Sequence, residues 1–182
     1  MVAQIRTTRG SWIETGLAAL ADGGPDAVRV ELLATTLGVT RGGFYHHFPN
    51  RQAFLDEMLD TWERRSTAEV RERVERDGGG AREKVRRAGM LTFSRDLLPI
   101  DLAVRDWARR DRLVAERLRR VDNGRMAYLR ALIGTLTEDP EEVEARGLLA
   151  FTLAIGNHFI AVDHDGRSRR QVVERATALL LA

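Results

Sequence analysis

The chain has 182 residues, 43% of them hydrophobic, which is enough to bury one proper core or two small domains that share a helix. It contains no cysteine, so disulfides and cysteine-ligated metals are excluded. No stretch approaches the roughly 18 uncharged apolar residues of a membrane span, and the first residues lack a signal peptide's apolar segment. With 29 basic and 27 acidic residues, the net charge of +2 does not by itself indicate a nucleic-acid partner. We expect a soluble, cytoplasmic protein with no membrane partner.

Apolar residues recur at helical spacing along the chain, and each proline lies where that spacing breaks or begins. The pattern predicts an all-α fold of about nine helices and no sheet. The predicted helices span about residues 8–21, 31–37, 41–48, 51–77, 81–95, 101–109, 112–137, 140–162 and 168–181. Thr40, Asp111 and Ser168 are expected to cap helices, and Pro140 stands at a first helical position.

Residues 31–48 have the form of a helix-turn-helix, with Gly38 as the sharp stop between two short helices. The turn is too short for antiparallel neighbours, so the two helices should cross steeply. In the second of them, Phe44 and Phe48 are four residues apart and share the face that packs inward. The first helix is expected to close the back of this unit through its own apolar stripe.

The opposite face of that second helix carries Gly42 and His46, with Tyr45 beside them and Arg41 at the edge. Glycine costs roughly 1 kcal/mol in helix propensity, so a bare face suggests the close approach of another object. A DNA major groove is such an object. The hydroxyls of Thr40 and Tyr45 can contact phosphates, His46 a base edge or phosphate, and Arg41 guanine or the backbone.

The first third of the chain resembles the TetR family of bacterial transcriptional regulators. The matching residues run from the first helix through Leu37-Gly38-Val39-Thr40 and Gly43-Phe44-Tyr45-His46-His47-Phe48 to a basic residue, Arg51. The resemblance implies recognition-helix contacts from Thr40, Arg41, Gly43, Tyr45, His46 and His47. It also implies a phosphate contact at Arg51, where the family often has lysine, and a further contact from Arg29.

The adjacent histidines His46 and His47 have other interpretations. Neighbouring helical positions point about 100° apart, so the pair cannot converge on one metal ion, and no acid or serine is placed for catalysis. Neither a metal, a cofactor nor a catalytic residue is therefore predicted. For His47 a structural role is as good an interpretation as DNA contact. Arg6 and Arg9 form either a basic arm or an ordinary solvated terminus.

Four residues of the remaining helices are candidates for lining a small-molecule pocket, although aromatic residues at helical spacing are more often core. The candidates are Trp62, Trp107, Tyr128 and His158. Trp107 is the strongest of them, since it stands on a short helix between two longer ones. The polar His158 lies in an apolar segment, and a core or subunit contact is the better explanation for it.

Surplus apolar surface near the end of the chain predicts a homodimer through an intermolecular four-helix bundle. The predicted interface residues are Leu148, Phe151, Thr152, Ile155, Phe159, Leu179 and Leu180. The alternative is that these residues form the domain's own core. A dimer would also supply the second reading helix that a specific DNA site requires.

The sequence thus predicts a TetR-like regulator with a DNA-binding domain at residues 1–50 and a helical ligand-binding and dimerisation domain at residues 51–182. As a homodimer it would bind a palindromic double-stranded operator and be released by an unknown small-molecule effector. Repression is expected, with activation as an alternative. Two other hypotheses remain: a helical ligand- or partner-binding protein that does not read DNA, and a histidine-based metal enzyme.

Overall fold

The computed structural model describes residues 7–182, and the regular structure of that part of the chain is helical throughout. It consists of ten α-helices and a short 3₁₀ turn at Pro25–Ala27. The helices are α1 Arg9–Gly23, α2 Val30–Leu37, α3 Arg41–Tyr45, α4 Arg51–Ser66, α5 Ala68–Asp77, α6 Ala81–Thr92, α7 Leu98–Ala108, α8 Arg112–Ile133, α9 Pro140–Gly156 and α10 Arg169–Leu180. Arg6 lies outside the described residues. No described helix is long and apolar enough to cross a membrane.

The helix expected over residues 51–77 is two helices, which accounts for the difference from the nine expected. α4 ends at Ser66 and α5 begins at Ala68, because Thr67 leaves helical geometry with φ −129° and ψ −78°. Serine and threonine side chains compete for backbone groups and weaken a helix interior. The Ser66 carbonyl accepts a hydrogen bond from the Arg125 guanidinium, Nε to O 3.4 Å.

The predicted N-caps hold at two positions and fail at one. Asp111 accepts hydrogen bonds from the first amides of α8, and Ser168 from the first turn of α10. Asp139, one residue before Pro140, caps α9 in the same way. The Thr40 hydroxyl does not cap α3, because the amide of Gly43 bonds to the Thr40 carbonyl instead, at 3.0 Å.

The helix expected over residues 140–162 is shorter than predicted. α9 ends at Gly156, and the residues from 157 to 168 join it to α10 without forming another helix. Phe159 therefore lies on this connection rather than on the helix.

The chain forms two compact units. Unit 1 comprises the chain up to Arg65 together with Arg95–Arg119, and unit 2 comprises Ser66–Ser94 and Arg120–Ala182. α7 thus belongs to the same unit as the helix-turn-helix, where it packs along α1. The functional division at residue 50 stays a prediction.

The core of unit 1 depends on a close approach between α1 and α4 at Gly16. A Cβ atom at Gly16 would lie 2.6 Å from Cζ of Phe54 and 2.7 Å from Sδ of Met58. Trp12, Leu17 and Leu20 are buried on either side of this point. α1 is therefore the central support of unit 1.

The core of unit 2 is an aliphatic cluster contributed mainly by α6 and α8. Its buried members are Val85, Met126, Leu129, Leu132, Ile133 and Leu181. α6 packs against α5 and α9, and α9 packs against α10.

Candidate nucleic-acid interface and ligand cavity

The turn of the helix-turn-helix is built on Gly38. This residue has φ 67° and ψ 30°, a left-handed conformation that favours glycine. Its amide donates to the Thr35 carbonyl at 3.1 Å, and the amide of Val39 donates to the Ala34 carbonyl at 3.0 Å. These bonds end α2 sharply and allow α3 to begin three residues later, at Arg41.

Phe44 anchors α3 to unit 1. Its side chain is fully buried, with ring centroids 5.4 Å from Trp12, 5.1 Å from Phe48 and 5.3 Å from Phe54. A helix of only five residues has little stability of its own, so these contacts hold it in place. The inward face predicted from the sequence is the face that is buried.

The opposite face of α3 is exposed and carries two linked side chains. Nη2 of Arg41 donates to the Tyr45 hydroxyl at 3.3 Å, and Nη1 lies 3.2 Å from Oε1 of Glu31 on α2. The hydrogen bond to Tyr45, followed by nearby charge, raises the pKa of Arg41, so the guanidinium stays cationic. Gly42 and His46 are exposed on the same segment. Together they present a cation, a phenol and an imidazole to solvent.

The two glycines of α3 are not required by the packing of the protein. A Cβ atom at Gly42 would lie 3.6 Å from the Thr40 hydroxyl oxygen, and one at Gly43 would lie 4.0 Å from Trp12 and Val39. Both are ordinary contact distances, and neither glycine has a positive φ. The fold therefore leaves room for a side chain at both positions.

His47 has a structural position. Its Nε2 lies 3.0 Å from the Thr7 carbonyl oxygen, and its own carbonyl accepts a hydrogen bond from Arg9. The ring is half-buried at the edge of the aromatic cluster. These contacts join the start of α1 to the end of α3.

Arg51 and Arg9 are also engaged within unit 1. Arg51 donates from Nε to the Val28 carbonyl at 2.9 Å and from Nη2 to the Pro25 carbonyl at 2.7 Å, which braces the connection between α1 and α2. Arg9 pairs with Glu57 and lies over the Phe48 ring, so it is not a free basic arm. Arg29, by contrast, is exposed immediately before α2 and makes no side-chain cap there.

Unit 2 contains a cavity of about 880 Å³ between α5, α6, α8, α9 and α10. Of the four predicted pocket residues, Tyr128 and His158 line it. Trp62 and Trp107 do not, because both are buried in unit 1, where they belong to the core. The two tryptophans are therefore core residues, which is the more frequent role of an aromatic residue at helical spacing.

Tyr128 is one end of a polar network in the cavity wall. Its hydroxyl donates to Oε1 of Glu75 at 2.7 Å, and Glu75 also pairs with Lys84. The bond from Lys84 and then that from Tyr128 lower the pKa of Glu75, while burial and then Glu75 raise the pKa of Tyr128. Glu75 therefore stays ionised and Tyr128 stays neutral.

His158 is the other predicted residue of the wall. Partial burial, and then the positive charge of Arg169, lower the pKa of His158. Its ring centroid lies 6.2 Å from that of Phe93, another lining residue. The imidazole therefore tends to be neutral, and it can donate or accept a hydrogen bond.

Apolar side chains are exposed on α9, on α10 and on the connection between them. Leu148, Phe159 and Leu179 have exposed fractions of 56%, 65% and 63%. Thr152 is exposed as well, and Ile155 is half-buried. Phe151 and Leu180, predicted for the same surface, pack against the core of unit 2 instead. The predicted interface is thus divided between an open patch and the domain's own core.

Among residues 7–182, no group of three histidine, cysteine, aspartate or glutamate side chains could hold a metal ion.

The N-terminal part of the chain matches known regulators. Residues 13–58 match the family model described as bacterial regulatory proteins, tetR family. A stretch of 59 residues is 32% identical to the HTH-type transcriptional repressor KstR2 of Mycobacterium tuberculosis, covering 32% of this chain and 30% of the repressor. The likeness to the tetR family is thus established for residues 13–58, which include the helix-turn-helix.

Two solved structures extend the likeness to the whole fold. A transcriptional regulator from Rhodococcus sp. Rha1 superimposes with a TM-score of 0.71 at 19% identity, covering 96% of this chain and 94% of that one. AibR, solved in complex with isovaleryl coenzyme A and operator DNA, superimposes with a TM-score of 0.68 at 15% identity, covering 95% of this chain and 97% of that one. At these identities the likeness shows a shared fold, and it extends over nearly the whole chain.

The cavity lies outside the residues matched by the TetR-family model, and most of its wall, including its buried arginine, was not predicted. Arg125 is buried in the wall, at 7% exposure. A sequence signal for it exists: Arg125 lies four residues after Val121 and four before Leu129, in line with buried apolar positions of α8. A charge on an apolar stripe needs a partner, and Arg125 bonds to the Ser66 carbonyl and to Oδ1 of Asp122.

Proposed function

We propose that this chain is a TetR-family transcriptional repressor that reads a palindromic operator as a homodimer and is released by a small-molecule effector. The observation that carries the proposal is the two-sided character of α3. Phe44 fixes one side to the core, while the other side, with Gly42, Tyr45 and the ion-paired Arg41, is open to solvent. A short helix of this kind, presented on a rigid support, suits a major groove.

The proposed contact residues fall into two groups. Thr40, Arg41, Gly42, Tyr45 and His46 are exposed and would touch DNA directly. The Thr40 hydroxyl, which does not cap α3, is available to a phosphate.

The other predicted contact residues are Arg29, Gly43, His47 and Arg51, and not all of them would touch DNA directly. Arg29, exposed before α2, would reach the backbone, and Gly43 would allow close approach. His47 and Arg51 would act indirectly, since the bonds of His47 to Thr7 and of Arg51 to Val28 and Pro25 set the position of α3.

The exposed apolar patch supports the homodimer. Leu148, Phe159 and Leu179 stand open on neighbouring elements, as expected of a surface covered by a second copy. Thr152 and Ile155 would complete it. Two subunits present two copies of α3, and a two-fold operator would match them.

The cavity supports an effector. Its volume falls within the range of about 300–1,000 Å³ common for small-molecule sites, and Tyr128 and His158 provide polar groups in a largely apolar wall. The structurally similar AibR was solved with isovaleryl coenzyme A and operator DNA together. An occupant that favours the conformation with displaced reading helices would lower operator affinity.

The test begins with selection of bound fragments from the genomic DNA of the source organism. Wild type should enrich a palindromic sequence, while Arg41→Ala and Tyr45→Ala should weaken binding to it and leave the dimer intact. Arg73→Ala is the matched control, because Arg73 on α5 is similarly exposed and also ion-paired. If the variants of α3 bind as well as wild type, the assignment of the reading helix is wrong. If wild type enriches no sequence, the chain is a ligand- or partner-binding protein that does not read DNA.

A further inference from the structure

A carboxylate lies directly beside the cation of the proposed reading face. Oε1 of Glu31, in the first turn of α2, is 3.2 Å from Nη1 of Arg41, the first residue of α3. The pair therefore spans the two helices of the helix-turn-helix. A surface that only had to attract the phosphates of DNA would gain nothing from an acid at this position.

This ion pair contributes little to the stability of the fold. Both side chains are open to solvent, with exposed fractions of 62% for Arg41 and 60% for Glu31. Ion pairs that are this exposed add little to the free energy of unfolding. An acid in a first helical turn also suits the helix dipole, but that effect requires no arginine partner. The pair therefore bears on what Arg41 can bind rather than on folding.

A second contact fixes the direction of the guanidinium. Nη2 of Arg41 donates to the Tyr45 hydroxyl at 3.3 Å, and Cζ of Arg41 lies 5.9 Å from the centroid of the Tyr45 ring. Glu31 and Tyr45 thus hold Arg41 from two directions at the exposed side of α3. Because a guanidinium has five N–H donors, these contacts leave donors for a further acceptor.

The carboxylate makes Arg41 a poor partner for a phosphate and leaves it suited to a base. A phosphate that approached the guanidinium would bring a second negative charge close to Glu31, and the two anions would repel each other. The edge of a base carries no net charge, so it can share the guanidinium with Glu31. Guanine is the base whose O6 and N7 atoms accept two hydrogen bonds from one arginine.

We propose that Glu31 is a specificity-determining residue, whose carboxylate keeps Arg41 on the edge of a guanine base and away from the phosphates. Glu31 is a positioning residue, since it acts through Arg41 and needs no contact with DNA. The inference rests on the proposed function in taking α3 as the reading helix. It decides between the two partners, guanine and backbone, that the sequence leaves open for Arg41.

The test measures how the full-length protein binds the selected operator and an unrelated duplex of equal length, by fluorescence anisotropy at several salt concentrations. Because Arg41 meets a base, Arg41→Ala should weaken binding to the operator and keep the salt dependence of the wild type. Loss of a phosphate contact would instead reduce the slope of log affinity against log salt by about 0.9. Such a reduction in Arg41→Ala would overturn the proposal.

Glu31→Gln removes the charge and keeps the size of the side chain. Affinity for the unrelated duplex should rise by roughly two- to fivefold, the effect of removing one charge near a phosphate in water. Affinity for the operator should rise less, so the ratio between the two falls, and the salt dependence should steepen as the released Arg41 gains a phosphate. An unchanged ratio and slope would overturn the proposal, since the loss of a merely structural contact moves neither.

Substitutions in the operator identify the base. Changing one particular G·C pair of each half-site to A·T should weaken wild-type binding at least about fivefold, the lower end of the discrimination given by a bidentate contact. The same change should have no effect on binding by Arg41→Ala and a smaller effect on binding by Glu31→Gln. If no G·C pair behaves in this way, Arg41 does not read guanine and the proposal is wrong.

Glu14→Gln is the matched control. Glu14 on α1 is also exposed and pairs with Arg65, which lies in the last turn of α4, the end furthest along the chain from α3. The substitution removes the same charge and should keep the affinity ratio and salt dependence of the wild type. Equal effects of Glu14→Gln and Glu31→Gln would show that net charge alone matters, and would overturn the proposal.

The outcomes separate this inference from the proposed function. If the wild type enriches no DNA sequence, the repressor function and the role of Glu31 fall together. If the wild type binds its operator specifically but Glu31→Gln behaves like the wild type, the role of Glu31 falls alone.

Discussion

The indole ring of Trp12 meets the ring of Phe44 edge-on, with 5.4 Å between their centroids and 77° between their planes. This contact joins α1, the central support of unit 1, to α3, the proposed reading helix. Phe48 and Phe54 complete the cluster around Phe44. The position of the exposed face of α3 therefore depends on a residue that points the opposite way.

Replacing Phe44 with alanine should destabilise unit 1 by about 3–5 kcal/mol, because the cavity left among three aromatic rings cannot fully close. Urea denaturation followed by circular dichroism measures the change. Tyr45→Ala, one residue further along but exposed, should alter stability by less than about 0.5 kcal/mol. Similar losses from both substitutions would show that Phe44 is not the anchor.

Gly42→Leu should separate folding from DNA binding. The fold has room for a side chain at Gly42, and leucine favours a helix over glycine by up to about 1 kcal/mol, so stability should hold or rise slightly. Operator affinity, measured by fluorescence anisotropy, should fall at least about tenfold, because the new side chain occupies the space that DNA requires.

Gly16→Ala provides the contrast to that substitution. Its Cβ would lie 2.6 Å from Phe54, so it should cost about 1–3 kcal/mol of stability by overpacking. A Gly42→Leu protein that binds the operator normally would contradict the proposed docking of α3.

The structure also indicates which features a sequence can reveal. Gly38 and Asp111 act through neighbours within a few residues, so local spacing predicted their roles. The inward position of Phe44 was predicted from its spacing to Phe48. The break at Thr67 was not predicted, because Ser66 and Thr67 lie inside a strong helical pattern with no glycine or proline. The Ser66 carbonyl beside this break accepts a hydrogen bond from Arg125, which lies 59 residues further along the chain.

Long-range contacts explain the remaining differences. Arg51 and His47 look like DNA contacts in sequence, yet their bonds to Val28 and Thr7 could not be read from local spacing. Trp107 was expected to line a cavity because of its position between two longer helices. It lies instead in the core of unit 1, since α7 packs along α1.

Leu148→Glu combined with Leu179→Glu should convert the proposed homodimer to monomers, because it places charges on the apolar patch that the second copy would cover. Sedimentation velocity measures the mass in solution. Leu113→Glu is the matched control, since Leu113 is 68% exposed but lies on the part of α8 that belongs to unit 1. A double variant that remains dimeric would move the interface away from α9 and α10.

His158 should make stability depend on pH. Its pKa in the folded state is lower than the ordinary 6.5, so the unfolded chain binds the proton more tightly. Above about pH 6.5 His158 is neutral in both states and does not reduce the free energy of unfolding. As the pH falls from 6.5 toward the lowered folded-state pKa, the unfolded chain takes up the proton first, so the free energy of unfolding decreases.

Thermal unfolding from about pH 5 to about pH 8 compares wild type with His158→Gln. The wild type should lose more stability on acidification than the variant, and the two should run parallel above pH 6.5. Parallel curves over the whole range would show that His158 is not held in its neutral form.

The central claim is that the chain binds a specific operator through the exposed face of α3. The most direct measurement is the affinity for the selected operator as a function of salt concentration, for wild type and Arg41→Ala. The logarithm of the association constant should fall linearly with the logarithm of salt, by about 0.9 for each phosphate contact, and Arg41→Ala should bind more weakly. A flat salt response, or an Arg41→Ala protein that binds like wild type, would contradict the claim.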